Sequence, residues 1–177
     1  AVRLVTDSIV ATEKKEVMGK VVRYHALVVA AYAGLACLVI YWPLFHATTD
    51  LPTLAGTPDH FHFHWSYWWT GHALTTPGLS VYETNFVLFP FSTNLAYHTY
   101  APFWFPLWAL LSPVWGTLVA FQAIFIVSLT LTGYTFYLLL RQEKVLPGLA
   151  LIGGILLMLS YVMVVSVARS TLHYLGF

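Results

Sequence analysis

The sequence contains very little charge, since only 8% of its 177 residues are Asp, Glu, Lys or Arg. Soluble domains carry about 25% charged residues, so this chain lacks the groups that would cover a fully solvated surface. We therefore expect an integral membrane protein. Its single cysteine, Cys37, excludes an internal disulfide. The net charge of +1 and the lack of a basic stripe indicate no nucleic-acid partner.

Long apolar runs predict the membrane-spanning helices. A bilayer core requires about 20 apolar residues in a helix, and residues 25–45, 117–140 and 146–168 meet this requirement. Residues 101–116 are apolar but short and contain three prolines, which favours a helix lying at the interface over a fourth span. Three tryptophans would anchor that helix: Trp104, Trp108 and Trp115. The predicted fold class is an all-α integral membrane protein with three spans, and with residues 101–116 as a weaker candidate for a fourth.

Small residues in two of these spans predict close packing of helices. Gly133 lies in the second span, and Gly153 and Gly154 are adjacent in the third. Because glycine has no side chain, the backbones of neighbouring helices can approach closely at these positions.

Cations are absent from residues 46–116, and this asymmetry predicts the orientation. Two lie between the second and third spans, at Arg141 and Lys144. Five precede the first span: Arg3, Lys14, Lys15, Lys20 and Arg23. Because cytoplasmic loops are enriched in Lys and Arg, we expect a cytoplasmic N-terminus and an extracytoplasmic loop over residues 46–116. Residues 1–24 are predicted to form a cytoplasmic amphipathic helix running into the first span.

The outer loop contains an unusual stretch, TPDHFHFHWSYWWTGH, at residues 57–72. As a strand it would alternate histidine with aromatic residues. As a helix it would carry one aromatic stripe, formed by Phe61, Trp65, Trp68, Trp69 and His72. Thr57 and Pro58 are typical of a helix start, and the TTPG sequence at 75–78 is typical of a helix end. We therefore predict a horizontal helix on the outer membrane face.

The histidines of this stretch leave a metal or pigment site open as an alternative. In a strand His60, His62 and His64 would share one face, whereas in a helix only His60 and His64 do. Two such histidines, with a third ligand from elsewhere, could hold a divalent metal. One of them could also be the axial ligand of a tetrapyrrole. Histidines at a membrane interface are equally compatible with no cofactor.

The order of several motifs resembles the N-terminal part of bacterial polytopic membrane glycosyltransferases of the GT-C fold class. The motifs are GTPDHFHFHWSYWWTGHAL, then SVYETNFVLFPFSTNLAYHTYAPF, then GGILLMLSYVMVVSVARSTLHYLGF after a span and a short basic turn. The resemblance covers residues 25–177 and implies a GT-C-like transmembrane module. Because members of that class have more spans, it also implies that these residues form the N-terminal part of a longer, multi-pass protein of the bacterial cytoplasmic membrane.

The resemblance also implies a chemistry and the residues that perform it. The donor would be a sugar linked to a polyprenyl phosphate, used on the extracytoplasmic face. Asp59 matches the loop carboxylate that acts as general base, in the first turn of a helix where an ionised carboxylate is favoured. Arg169, His173 and His98 are candidates to bind the substrate and its phosphate. The partners would be membrane lipid and the lipid-linked donor.

A second class of function stays open beside the enzyme. The short length and the many aromatic residues are also compatible with a non-catalytic accessory subunit of a photosynthetic or respiratory membrane complex. In that case the aromatic surfaces would contact other subunits, a pigment or a haem. The departures from the family pattern, among them His60 directly after Asp59, leave it open whether these 177 residues are catalytic by themselves.

Overall fold

A computed structural model describes residues 2–39, 59–97 and 102–163 of the chain. These residues are mostly helical, and their elements are named here in chain order. Helix α1 spans Val2–Val39 and helix α2 spans Asp59–Thr75, followed by strands β1, Glu83–Leu88, and β2, Phe91–Asn94. Short 3-10 turns at Leu95–Tyr97 and Pro102–Trp104 lead into α3, Phe105–Trp115, α4, Thr117–Gln142, and α5, Pro147–Met158.

Among these described residues, two helices are long and apolar enough to cross a membrane: Lys14–Leu38 within α1, and α4. Both lie where the sequence predicts a span. Helix α1 continues without a break from the predicted amphipathic segment into the predicted first span. Residues 40–45, the end of that predicted span, lie outside the described residues. The amphipathic character of residues 1–24 stays a prediction.

Helix α4 is the central element, because α1, α2, α3 and α5 all pack against it. Helices α1, α4 and α5 approach one another closely around Tyr32, whose buried ring lies against Gly133 and Gly154. The Tyr32 hydroxyl donates a hydrogen bond to the carbonyl of Leu151, at 3.1 Å. A β-carbon added at Gly133 would lie 2.8 Å from the Tyr32 ring. The predicted role of these glycines in close helix packing is confirmed.

Helix α3 forms within the segment predicted as an interfacial helix, but its tryptophans are placed differently from the prediction. Trp104 and Trp108 are only 5% exposed, whereas Trp115 is 57% exposed. The indole N–H of Trp108 donates to the carbonyl of Thr117, at 3.1 Å, which ties α3 to the start of α4. The expectation that all three are interfacial anchors is therefore wrong for Trp104 and Trp108, because both rings are buried against the protein.

Two features of the structure differ from the predicted all-α chain with a continuous third span. Strands β1 and β2 form an antiparallel hairpin with the pairs Glu83–Asn94 and Leu88–Phe91. Its Thr, Val and Phe residues favour strand structure, and the all-α prediction missed it. Helix α5 ends at Met158, residues 159–160 form a turn inside the predicted span 146–168, and residues 161–163 are helical again. Residues 164–168 of that span lie outside the described residues. The 12 residues of α5 extend about 18 Å, less than a bilayer core.

Candidate functional site

Helix α2 has the predicted type and the predicted end, since it spans Asp59–Thr75 and stops two residues before Pro77. Thr57 and Pro58, the residues predicted to start it, lie outside the described residues. The helical alternative is thus correct, and the strand alternative is wrong. The side that packs on the protein carries His60, Phe63 and Tyr67, each at most 4% exposed. Of the predicted aromatic stripe, Phe61 is 62% exposed whereas Trp69 is buried. The stripe therefore does not form one packing face.

His60 and His64 lie on the same side of α2, as their spacing predicts. Both rings contact the ring of Phe121 in α4, with centroid distances of 6.3 Å for His60 and 5.6 Å for His64. Burial lowers the pKa of His60 from 6.5 to about 4. Burial also lowers the pKa of His64, with a smaller opposing effect from the backbone of Thr117. Both histidines are consequently neutral at pH 7.

The two histidines have no companions that would complete a metal site within the part of the chain that the structure describes. No group of three His, Cys, Asp or Glu side chains forms among these residues. His62 lies elsewhere, in a separate depression lined also by Trp65, Val87 and Leu95. The metal and tetrapyrrole alternatives at His60 and His64 therefore stay predictions that need a ligand from outside the described ranges.

A cavity of about 280 Å³ lies between α2 and the open end of the hairpin. Helix α2 contributes Ser66, Trp69 and Thr70 to its wall. The opposite wall is formed by residues that flank the two strands and by the turn before α3: Val81, Tyr82, Leu95, Ala96 and Pro102. The N–H of Leu95 donates to the carbonyl of Tyr82 at 2.7 Å, which holds that wall together.

The polar groups that line this cavity are hydroxyls, and the ring of Trp69 lies beside them. The Ser66 hydroxyl donates to the carbonyl of His62 at 2.8 Å, and the Thr70 hydroxyl donates to the carbonyl of Ser66 at 2.8 Å. A hydroxyl oxygen such as that of Ser66 can also accept a hydrogen bond. The indole Nε1 of Trp69 is buried and has no hydrogen-bond partner among the described residues. This cavity therefore suits a small, neutral, hydroxyl-bearing group.

The predicted catalytic residue begins the helix that forms one wall of this cavity. Asp59 is the first residue of α2, seven residues before Ser66. At 1.5 Å and 100° per residue, the two positions are about 10 Å apart along the axis and nearly in line around it. The backbone of α2 thus places Asp59 and the cavity on a common side of the helix.

The three predicted substrate-binding residues, His98, Arg169 and His173, lie outside the described residues. The cavity residues Ser66, Thr70 and Tyr82 were not predicted from the sequence. Ser66 and Thr70 are four apart in an aromatic helix, a spacing that puts two hydroxyls on one face. This spacing is visible in the sequence, but it indicates a cavity only when the hairpin that forms the opposite wall is known.

Comparisons with known proteins do not assign this chain to a family. The sequence matches no protein-family model, and no curated protein and no solved structure is detectably similar to it. The resemblance to GT-C glycosyltransferases accordingly stays an expectation drawn from the motifs.

Proposed function

We propose that this chain is the membrane module of a glycosyltransferase that uses a polyprenyl-phosphate sugar on the extracytoplasmic face. The observation that carries the proposal is the cavity beside α2, which is lined by hydroxyls and aromatic rings and lies on the helix that Asp59 begins. Ligand pockets are typically about 300–1,000 Å³. A cavity of about 280 Å³ is just below that range, a size that suits a single sugar unit.

In the proposed reaction the acceptor hydroxyl oxygen attacks the anomeric carbon of the donor sugar. The bond between that carbon and the phosphate oxygen breaks, and the lipid phosphate leaves with the bonding electron pair. The Asp59 carboxylate accepts the proton of the acceptor hydroxyl, as a general base does. Arg169, His173 and His98 are proposed to stabilise the negative charge on the departing phosphate.

The sugar ring would occupy the cavity between α2 and the hairpin. Its hydroxyls would donate to the hydroxyl oxygen of Ser66, and the ring of Trp69 would form the adjacent wall. The aromatic wall offers the apolar surface that one face of a sugar ring requires.

The test uses the full-length protein in its native membranes, which supply the acceptor. The probe is a radiolabelled polyprenyl-phosphate hexose, and the measurement is the rate at which label leaves the lipid phosphate. We expect Asp59→Asn to lower this rate by about 10²-fold or more, since general base catalysis contributes 10²- to 10⁴-fold. The variant should retain the helicity and the expression level of the wild type.

The matched control is Glu83→Gln, which removes the same charge from an exposed carboxylate of the same loop. This variant should transfer sugar at the wild-type rate. Equal rates in Asp59→Asn and the wild type would contradict the role of Asp59. Failure of the wild-type protein to transfer any of a panel of polyprenyl-phosphate sugars would contradict the proposed function itself.

A further inference from the structure

A second pocket lies at the opposite end of the helical core, between α1 and α4. It has a volume of about 460 Å³ and is open to the surface. Six residues line it: Lys20, Val21, Tyr24, His25, Tyr137 and Arg141. The lining belongs to the segment just before the apolar run of α1 and to the last turns of α4. The distribution of cations predicts this end to be cytoplasmic.

Hydrogen bonds fix the aromatic wall of this pocket. The Tyr137 hydroxyl donates to the Tyr24 hydroxyl at 3.3 Å. The Tyr134 hydroxyl lies 3.1 Å from Nδ1 of His25. Because these bonds join α1 to α4, the shape of the pocket is set by the helix pair and not by a loop. Tyrosines are also enriched at the level of lipid headgroups.

Two permanent cations border this wall. Arg141 donates to the carbonyl of Val145 at 2.6 Å, and a guanidinium has five N–H donors in all. Lys20 forms an ion pair with Glu16 at 2.8 Å, and both side chains are about 70% exposed. Exposed ion pairs of this kind contribute little free energy, so Lys20 can exchange this partner for a stronger anion. The pocket therefore has a net positive charge.

We propose that this pocket binds the phosphate of an anionic phospholipid in the cytoplasmic leaflet. The Arg141 guanidinium and the Lys20 ammonium would contact the phosphate oxygens, and the tyrosine hydroxyls would donate to the glycerol or headgroup oxygens. Basic pockets between membrane helices on the cytoplasmic side bind such headgroups. The neighbouring apolar surface of α1, where Leu27 is 71% exposed, would accommodate the acyl chains. This lipid site is independent of sugar transfer.

The test places the full-length protein in nanodiscs that contain phosphatidylglycerol and phosphatidylcholine. Native mass spectrometry then gives the ratio of the two lipids that stay bound. We expect the wild type to enrich phosphatidylglycerol. The double variant Lys20→Gln/Arg141→Gln should lose this enrichment by about tenfold or more, because each basic residue near an anionic membrane contributes on the order of fivefold in affinity.

Two matched variants sharpen the result. Lys14→Gln/Lys15→Gln removes the same charge from exposed positions of the same helix outside the pocket, and it should keep the enrichment. Glu16→Gln frees Lys20 from its ion pair, and it should increase the enrichment. Equal losses in the two double variants would overturn the proposal, because a general surface charge would then explain the binding.

A further experiment distinguishes binding of a phospholipid from binding of free phosphate. Excess inorganic phosphate should leave the bound phosphatidylglycerol in place, since phosphate lacks the acyl chains and the glycerol. Displacement of the lipid by inorganic phosphate would overturn the lipid assignment and make the pocket a site for the free anion. The circular dichroism spectrum of every variant should match the wild type, which confirms that the helix pair is intact.

Discussion

Two regions of this molecule achieve close packing by opposite means. In the helical core, around Tyr32, two glycines remove side-chain volume so that α1, α4 and α5 meet through one ring. Where the loop unit, α2 with the hairpin, meets α3 and α4, large aromatic rings fill the space. Tyr67 packs there against Phe105, Trp108 and Phe121, with ring centroids about 6 Å apart. The first region gains contact by backbone approach, and the second gains it by the area of its rings.

The difference has a consequence for where a ligand can bind. A contact that depends on absent side chains leaves little room for additional atoms, and a β-carbon at Gly133 or Gly154 would lie within 3 Å of Tyr32. The cavity beside Trp69 lies instead where α2 faces the residues that flank the hairpin. We therefore expect the helical core to be sensitive to small increases in volume, and the loop unit to be sensitive to charge.

The largest expected effect on stability is that of Gly154→Ala in the helical core. The added β-carbon would meet the Tyr32 hydroxyl and the Gly133 carbonyl oxygen, so the helices would have to separate. Overpacking of this kind costs up to about 3 kcal/mol. The free energy of unfolding in detergent measures it. Gly148→Ala on the same helix is the control, because nothing lies within 4 Å of its β-carbon. Equal stability of the two variants would show that the backbones are not in close contact.

The second effect is a pH dependence of the loop unit. His60 has a pKa of about 4 when folded and about 6.5 when unfolded, so between these values the unfolded chain binds more protons. Stability is therefore complete above pH 6.5 and decreases as the pH falls toward 4. By pH 4.5 the loss is about 2.5 kcal/mol, and the lowered pKa of His64 acts in the same direction.

The variant His60→Phe isolates this contribution. It removes the titrating group and keeps a ring beside Phe121 and Phe125. Unfolding experiments at pH 7 and pH 4.5 should show a smaller loss of stability for the variant than for the wild type. If both lose the same amount, protonation of His60 does not destabilise the loop unit.

The smallest effect is expected for Tyr32→Phe, which keeps the ring between the two glycines and removes only the hydroxyl. The hydrogen bond to the carbonyl of Leu151 is lost, which costs about 1 kcal/mol. Denaturant unfolding in detergent would measure this difference. A loss as large as that of Gly154→Ala would mean that the hydrogen bond, and not the backbone approach, holds α1 to α5.

Several elements were predictable because each depends on local sequence. The positions of α1 and α4 follow from their apolar runs, and the end of α2 follows from the residues after it. The role of Gly154 followed from its lack of a side chain. The hairpin was missed because its residues are also common at membrane interfaces, and its pairing joins segments that are separated by a turn. The cavity was missed for a related reason, since its two walls are far apart in the sequence.

By itself, the sequence determined the apolar character, the long helices and the residues that share each helical face, because these depend on composition and on a period of 3.6 residues. Only the tertiary structure decided which face of α2 is buried, that Trp69 and Tyr82 border one cavity, and that Lys20 and Arg141 border another. The physical reason is that helical periodicity places residues relative to one another around one axis, whereas burial depends on which neighbouring element each face meets.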